Sequence, residues 1–160
     1  MTRTNYVLAA AGGSLALLAG AYVFQALGYS PCELCWWQRY PHFAAVAIGV
    51  LALLVRGPVF PTLGAIAAAT TAGIGIYHSG VERHWWPGPS ACTGSGLGGM
   101  SGADLLSVDG PQIVMCDQVS WQFLGLSMAT WNAIFSLILV ILWVRAVRAS
   151  SGRQSVTRAA

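Results

Sequence analysis

The sequence predicts an all-α membrane protein, and its composition and hydropathy pattern carry that prediction. Hydrophobic residues make up 56% of the 160 residues, while charged residues make up only 8%. An ordinary soluble domain contains about a quarter charged residues. Four long apolar runs divide the chain, each close to the roughly 20 residues that cross a bilayer as a helix. We therefore expect a four-transmembrane-helix bundle with two loops on the outer side of the membrane.

The predicted spans cover residues 6–28, 37–55, 61–80 and 122–144. The first run follows Arg3 as a secretory signal would, but it is longer than the apolar core of a signal peptide, and no convincing small-residue cleavage site follows it. Residues 1–148 are thus expected to form one transmembrane domain. Its outer loops lie at about 29–36 and 81–121, and residues 149–160 are expected to form a disordered tail.

The arginines indicate the orientation of this bundle. Only Arg39 and Arg83 lie on the outer side, whereas six arginines lie on the inner side: Arg3, Arg56, Arg145, Arg148, Arg153 and Arg158. Basic residues accumulate on the cytoplasmic side of short loops, so both termini are expected to be cytoplasmic. Because the basic residues are dispersed, the sequence predicts no nucleic-acid-binding face.

Small residues in the third span predict where another helix packs. Ala65, Ala69 and Gly73 recur at four-residue spacing. Such spacing places small side chains on one face, where a second helix can approach closely. This pattern indicates a packed bundle.

All four cysteines lie in the two outer loops. Cys32 and Cys35 form a CxxC motif before the second span, and Cys92 and Cys116 lie in the longer loop. A redox relay, a pair of structural disulfides and a zinc site are the three interpretations of this set. The 23 residues between Cys92 and Cys116 do not match the close doublets of structural zinc sites, so the sequence predicts no metal site.

The position of the CxxC motif favours redox chemistry. The start of a helix offers unpaired N–H groups and the positive end of the helix dipole, and both stabilise a thiolate. Arg39 follows Cys35 by four residues, which places both on one helix face if the helix has already begun. Pro41 leaves that start open, because proline suits a first turn as well as a kink. Arg39 is expected to pair with a thiolate, a quinone oxygen or a lipid phosphate.

At this point the sequence resembles a known family. The segments Pro31-Cys-Glu-Leu-Cys-Trp-Trp-Gln-Arg39, Trp85-Trp-Pro-Gly-Pro-Ser-Ala-Cys92 and Trp121-Gln-Phe-Leu-Gly-Leu126 are similar to those of the disulfide bond formation protein DsbB family. The similarity extends from the first predicted span to the fourth.

The resemblance implies a thiol:quinone oxidoreductase of the bacterial inner membrane, with its cysteines on the periplasmic side. Cys92 would form a mixed disulfide with a DsbA-like thioredoxin-fold protein, with Cys116 as its loop partner. Cys32 would exchange with the loop pair, and Cys35 would face the quinone, either ubiquinone or menaquinone. Arg39 would bind that quinone, with His84 and Trp36 as further candidates.

Two rival interpretations stay open. A vitamin K epoxide reductase-like enzyme also combines four helices with two cysteine pairs, but its membrane-facing CxxC motif belongs late in the bundle, whereas here the motif precedes the second span. A non-enzymatic membrane subunit would use its disulfides only to brace the outer loops, and those disulfides would resist exchange.

Overall fold

A computed structural model of the chain describes residues 2–90 and 114–158, without the side chains of 152–158. The described residues form four α-helices and one short hairpin. The helices are α1 (Arg3–Ala26), α2 (Glu33–Leu54), α3 (Val59–Glu82) and α4 (Met128–Arg158), and the strands are β1 (Gln122–Phe123) and β2 (Leu126–Ser127). The all-helical prediction is confirmed.

Three of the four helices are long and apolar enough to cross a membrane, namely α1, α3 and residues 128–151 of α4. The helix that does not meet this criterion is α2, which carries several polar side chains in its first half, including Gln38, Arg39 and His42. The membrane span predicted at residues 37–55, the outer loops and the placement of the termini therefore stay predictions.

The helices pack in a ring, in which α1 contacts α2 and α4, and α3 contacts α2 and α4. One core cluster surrounds the fully buried Trp143 of α4 and includes Val7, Ala10, Ala52 and Ala68. Next to this cluster, Arg3 donates to the Ala52 carbonyl at 2.7 Å and to Ser150 Oγ at 2.9 Å. This arginine ties α1 to Ser150 of α4 and to the C-terminal end of α2, where the last helical carbonyls lack partners of their own.

Of the three small residues predicted to pack in α3, Ala65 is half-buried against the core cluster, but the other two face away from it. Ala69 and Gly73 are exposed, whereas Gly64, Ala68 and Ala72 are buried. A Cβ on Gly64 would lie 2.6 Å from the Trp143 ring, while one on Gly73 would meet nothing within 4 Å. Because α3 is rich in small residues on several faces, the bulky partner on α4 decides which face packs, and α3 alone does not reveal it.

The α2 helix begins earlier than predicted, at Glu33, and Pro41 lies inside it. Cys32 is the N-cap residue, and its sulfur accepts the backbone N–H of Cys35. This cap satisfies one of the N–H groups that a helix start leaves unpaired. The last residues of the predicted loop 29–36 are therefore helical, and Arg39 belongs to the helix.

The fourth predicted span also differs at both ends. Residues 122–127 form an antiparallel hairpin that pairs Gln122 with Ser127 and Phe123 with Leu126. Its two turn residues, Leu124 and Gly125, have φ of 53° and 74°, as a tight two-residue hairpin turn requires. Helix α4 starts only at Met128 and continues to Arg158, through a segment for which the sequence predicts a disordered tail.

Candidate redox site at the start of the second helix

The CxxC motif places two free thiols at the first turn of α2. Cys32 and Cys35 are free cysteines, and their sulfurs lie 3.0 Å apart with Cys32 as donor. The Cys32 sulfur also accepts the Cys35 backbone N–H at 3.3 Å. The helix start thus holds the two sulfurs within hydrogen-bond distance of each other and polarises them.

The two thiols are electrostatically unequal. The hydrogen bond from Cys32 lowers the pKa of Cys35, and the positive charge of Arg39 lowers it further. Conversely, the hydrogen bond to Cys35 and burial raise the pKa of Cys32. Both residues precede the predicted membrane span at 37–55. Of the two sulfurs, the arrangement therefore favours Cys35 as the thiolate, which is the nucleophilic form.

Arg39 is held firmly beside these thiols. Its side chain is only 6% exposed. The guanidinium donates to Gln25 Oε1 at 2.7 Å and to the Ala21 carbonyl at 3.3 Å, and its Cζ lies 4.8 Å from the Tyr22 ring centre and 4.7 Å from that of Trp36. A guanidinium offers five N–H donors, so the two named acceptors leave further donors for a bound group.

Beside the thiols lies a cavity of about 390 Å³ between the helices and the segment that precedes β1. Its polar lining includes Cys32, Cys35, Gln38, Arg39, His42, His78, Glu82 and Asn132. Aromatic side chains supply much of the rest, among them Phe24, Tyr29, Trp121, Phe123, Trp131 and Phe135. A mostly apolar cavity with a few convergent polar groups is the usual form of a small-molecule site.

A chain of buried polar side chains leads from Cys32 into the bundle. The Cys32 sulfur lies 3.6 Å from His78 Nε2, and His78 Nδ1 lies 2.9 Å from Gln38 Nε2. Gln38 Oε1 accepts from Asn132 Nδ2 at 2.8 Å, and Asn132 Oδ1 lies 3.0 Å from His42 Nε2. Buried polar groups need such partners, and here they connect α2, α3 and α4 to one sulfur.

None of the side chains of this polar chain beyond Cys32 is among the site residues that the sequence predicts. A usable signal exists, because Gln38 with His42, and Asn132 with Ser136, are four residues apart in predicted spans. Polar residues within spans usually face the bundle interior rather than lipid.

The loop cysteines are only partly described. Cys116 is fully buried and disulfide-bonded, and it lies in one buried cluster with Cys32, Leu34 and Val81. Cys92 lies outside the described residues. The structure therefore brings Cys116 to the CxxC motif, although the two are distant in sequence.

Trp36 and His84, the two further candidates for quinone binding, lie in different parts of the structure. Trp36 lies against Arg39, as described above, but it is not among the cavity-lining residues. His84 is exposed just after α3, with φ of 56°, and it is not among the cavity-lining residues.

As for metals, ligand atoms of Cys32, Cys35 and His78 lie within 4.8 Å of one another, so these three residues could hold a thiophilic ion.

Comparisons with known proteins identify the family of this chain. The family model described as "Disulfide bond formation protein DsbB" matches residues 3–146. The chain belongs to the DsbB family. Curated DsbB relatives, each named disulfide bond formation protein B, include one from Xanthomonas oryzae pv. oryzae that is 34% identical over 88% of this chain and 87% of its own length.

Two further DsbB relatives are similarly close. The protein from Verminephrobacter eiseniae is 33% identical over 87% of this chain and 85% of its own length. The protein from Aromatoleum aromaticum is 32% identical over 76% of this chain and 81% of its own length. No solved structure matches this chain. Family membership and three apolar helices together make this a membrane protein of disulfide bond formation.

Proposed function

We propose that this protein reoxidises a periplasmic DsbA-like dithiol protein and passes the electrons through its two cysteine pairs to a membrane quinone. The proposal places it in the bacterial inner membrane, with the cysteines on the periplasmic side and disulfide formation in exported proteins as the outcome. The observation that carries it is the polarised thiol pair of Cys32 and Cys35, which lines an apolar cavity beside Arg39.

The first half of the proposed reaction is thiol exchange with the protein partner. A thiolate of the reduced partner attacks Cys92 and forms a mixed disulfide, so that Cys116 leaves as a thiolate. The second partner thiolate then attacks its own mixed-disulfide sulfur and releases Cys92. The partner gains a disulfide, and the loop pair gains its two electrons.

The second half transfers those electrons to the CxxC pair. Cys116 attacks Cys32 of a Cys32–Cys35 disulfide, and Cys35 leaves as a thiolate. The burial of Cys32 and Cys116 in one cluster supports this direct exchange. The lowered pKa of Cys35 also supports it, because a sulfur that is stable as a thiolate is the better leaving group.

The residues around the cavity suit a quinone head group. Arg39 has N–H donors to spare for a carbonyl oxygen, and the aromatic walls suit a flat ring. His42 Nδ1 is a buried polar atom with no hydrogen-bond partner among the described residues, and His42 lines the cavity. A bound quinone would supply a two-electron acceptor next to Cys35. Ubiquinone and menaquinone both fit this description.

The chain's own residues then have defined tasks. Arg39 would bind an acceptor oxygen and would also stabilise the Cys35 thiolate. The Cys32 thiol holds the shared proton until Cys35 has reacted, and its sulfur then closes the Cys32–Cys35 disulfide. The apolar wall excludes water from the sulfurs, which strengthens each of these electrostatic contacts.

Quinone reduction by the purified protein tests the proposal. The assay contains reduced DsbA-like protein and a soluble ubiquinone or menaquinone analogue, and ultraviolet absorbance follows the quinone. We expect rapid reduction by the parent and loss of turnover in Cys35→Ser and Cys92→Ser. No turnover with either analogue would instead favour a membrane subunit whose loops are merely braced by disulfides.

A further inference from the structure

We propose that His78 is a further catalytic residue of this relay, whose Nε2–H group hydrogen-bonds to the Cys32 sulfur and stabilises it as a thiolate during exchange with Cys116. Gln38 and Asn132 are positioning residues that fix the His78 tautomer. The inference rests on the proposed relay and adds a residue that the sequence motifs do not contain.

The tautomer of His78 can be worked out from the hydrogen bonds to two backbone carbonyls, those of Gln38 and Leu34. A carbonyl can only accept a hydrogen bond, so each partner group must be a donor. The Thr71 hydroxyl donates to the Gln38 carbonyl at 3.0 Å, so its oxygen must accept from Asn132 Nδ2, at 3.2 Å. The same Asn132 amide group donates to Gln38 Oε1 at 2.8 Å. These contacts fix which end of the Gln38 side chain is its oxygen.

The other end of Gln38 is therefore its amide nitrogen. It donates to the Leu34 carbonyl at 3.1 Å and faces His78 Nδ1 at 2.9 Å. Because an amide nitrogen can only donate, His78 Nδ1 must accept, and the ring hydrogen of the neutral imidazole lies on Nε2. That Nε2–H group lies 3.6 Å from the Cys32 sulfur.

His78 also lies where the two cysteine pairs meet. The His78 ring also hydrogen-bonds to the backbone of Cys116. Because Nδ1 accepts from Gln38, this bond too comes from Nε2–H, so the Cys116 backbone shares that hydrogen with the Cys32 sulfur. The ring is thus fixed between the sulfur of one pair and the chain segment that carries the other. A donor at this position acts on Cys32 when its bond to Cys116 forms and breaks.

The step that uses this donor is the resolution of a disulfide between Cys32 and Cys116. The Cys92 thiolate attacks Cys116, the bond between Cys32 and Cys116 breaks, and Cys32 leaves with the bonding electron pair as a thiolate. The Cys92–Cys116 disulfide is restored, and both electrons of the loop pair now reside on Cys32 and Cys35. No proton leaves His78, whose Nε2–H only hydrogen-bonds to the departing sulfur.

Several other charged groups lie close to Cys32. Glu33 follows it directly in the sequence, and Asp117 follows Cys116, which is buried in the same cluster. The Cys35 thiolate disfavours a second negative charge on Cys32, and Arg39 acts on the far side of Cys35. Glu82 Oε1 lies 4.0 Å from His78 Nε2 and competes with Cys32 for its hydrogen. Removal of the Glu82 charge should therefore favour the Cys32 thiolate, which is opposite to the effect of removing His78.

A metal ion is the competing use of the same residues. Ligation through Nε2 would require the ring hydrogen on Nδ1, where the Gln38 amide already presents a donor. Metal-bound histidines normally donate their second ring N–H to an acceptor. The orientation of Gln38 therefore favours a hydrogen-bond donor at Nε2 over a metal ligand.

The test measures Cys32 alone, in a full-length protein carrying Cys35→Ser, Cys92→Ser and Cys116→Ser. Iodoacetamide alkylation in lipid nanodiscs, with a chelator present, is followed against pH. A hydrogen bond to a charged group implies that His78→Leu raises the midpoint by about one to two pH units. His78→Gln retains an amide donor and should recover at least half of that change, whereas Glu82→Gln should lower the midpoint.

An unchanged or lowered midpoint in His78→Leu would overturn the proposal, and so would a shift that requires added zinc. Thermal unfolding of each variant shows whether it is folded. Nitrogen-15 NMR of the parent is a second test that needs no His78 variant, because a ring hydrogen on Nδ1 would equally refute the assignment. These tests use neither partner nor quinone, so they are independent of the turnover assay, whose failure would refute the relay itself.

Discussion

Arg39→Lys is the substitution that best tests the role of the cavity in electron transfer. Lysine keeps the positive charge but loses the planar fork, which now contacts Gln25 and Ala21 and lies between two aromatic rings. A single ammonium group cannot keep these anchors and also bind an acceptor oxygen. We therefore expect the charge to remain and the directed hydrogen bond to be lost.

The expected magnitude follows from that single bond. A hydrogen bond involving a charged group contributes about 1.5 to 3 kcal/mol. Its loss corresponds to a decrease of about 10- to 150-fold in kcat/KM for the quinone analogue. Exchange between the loop cysteines and the reduced partner, measured in a single turnover without quinone, should change little because it does not involve the guanidinium.

Arg83→Lys is the matched control. Arg83 is exposed after α3, where its Cζ lies 5.1 Å from the Trp85 ring centre, and it does not line the cavity. This control should leave quinone reduction within about twofold of the parent, because exposed cation–π contacts contribute only about 0.5 to 1 kcal/mol and none reaches the thiols. An equal decrease in both variants, or no decrease in Arg39→Lys, would refute the reasoning.

Three further predictions concern packing, pH and helix ends. Gly64→Ala should destabilise the protein by about 1 to 3 kcal/mol in thermal unfolding, because its methyl group would overlap a buried indole, whereas Gly73→Ala should not. Alkylation of Cys35 in the reduced protein should slow as the pH falls through its lowered pKa, and Cys32→Ala should move that decline to higher pH because it removes the hydrogen bond that lowers the pKa. Arg3→Ala should lower the unfolding temperature, because the C-terminal end of α2 loses its hydrogen-bond donor.

The parts of the site that lie within one helix could be predicted in part from sequence. The N-cap position of Cys32 and the placement of Arg39 one turn beyond Cys35 depend only on where α2 begins and on helical spacing. The sequence placed Cys35 and Arg39 on one helix face only if the helix had already begun, and the structure meets that condition. The N-cap position of Cys32 was not predicted, because Pro41 left the helix start open and the predicted span began at residue 37. Once the helix start is known, local geometry is sufficient because each residue is positioned by neighbours four or fewer positions away.

Features that depend on contact between helices were not predictable in this way. His78 is buried beside Cys32 because α3 turns that face towards α2, and the bulk of Trp143 on α4 helps to select the face. The sequence instead favoured His84, which follows the helix and is exposed. Similarly, the apolar side chains of Phe123, Leu124 and Leu126 led to the prediction that the last span begins at residue 122. In the structure, the left-handed backbone conformations of Leu124 and Gly125 reverse the direction of the chain before α4 begins.

The buried polar chain has a cost that a purely structural role would not explain. Each unsatisfied polar group inside a bundle costs about 1 to 3 kcal/mol, and apolar side chains of similar shape would avoid that risk. Yet the donor and acceptor directions of Asn132, Gln38 and His78 are each fixed by the preceding hydrogen bond, starting from backbone carbonyls. This series of hydrogen bonds ends at the Cys32 sulfur. Packing alone would be satisfied by any arrangement that pairs these groups. Only an arrangement that presents an N–H group to Cys32 requires this order of donors and acceptors, which is why we assign the chain to the chemistry of the thiol rather than to the stability of the bundle.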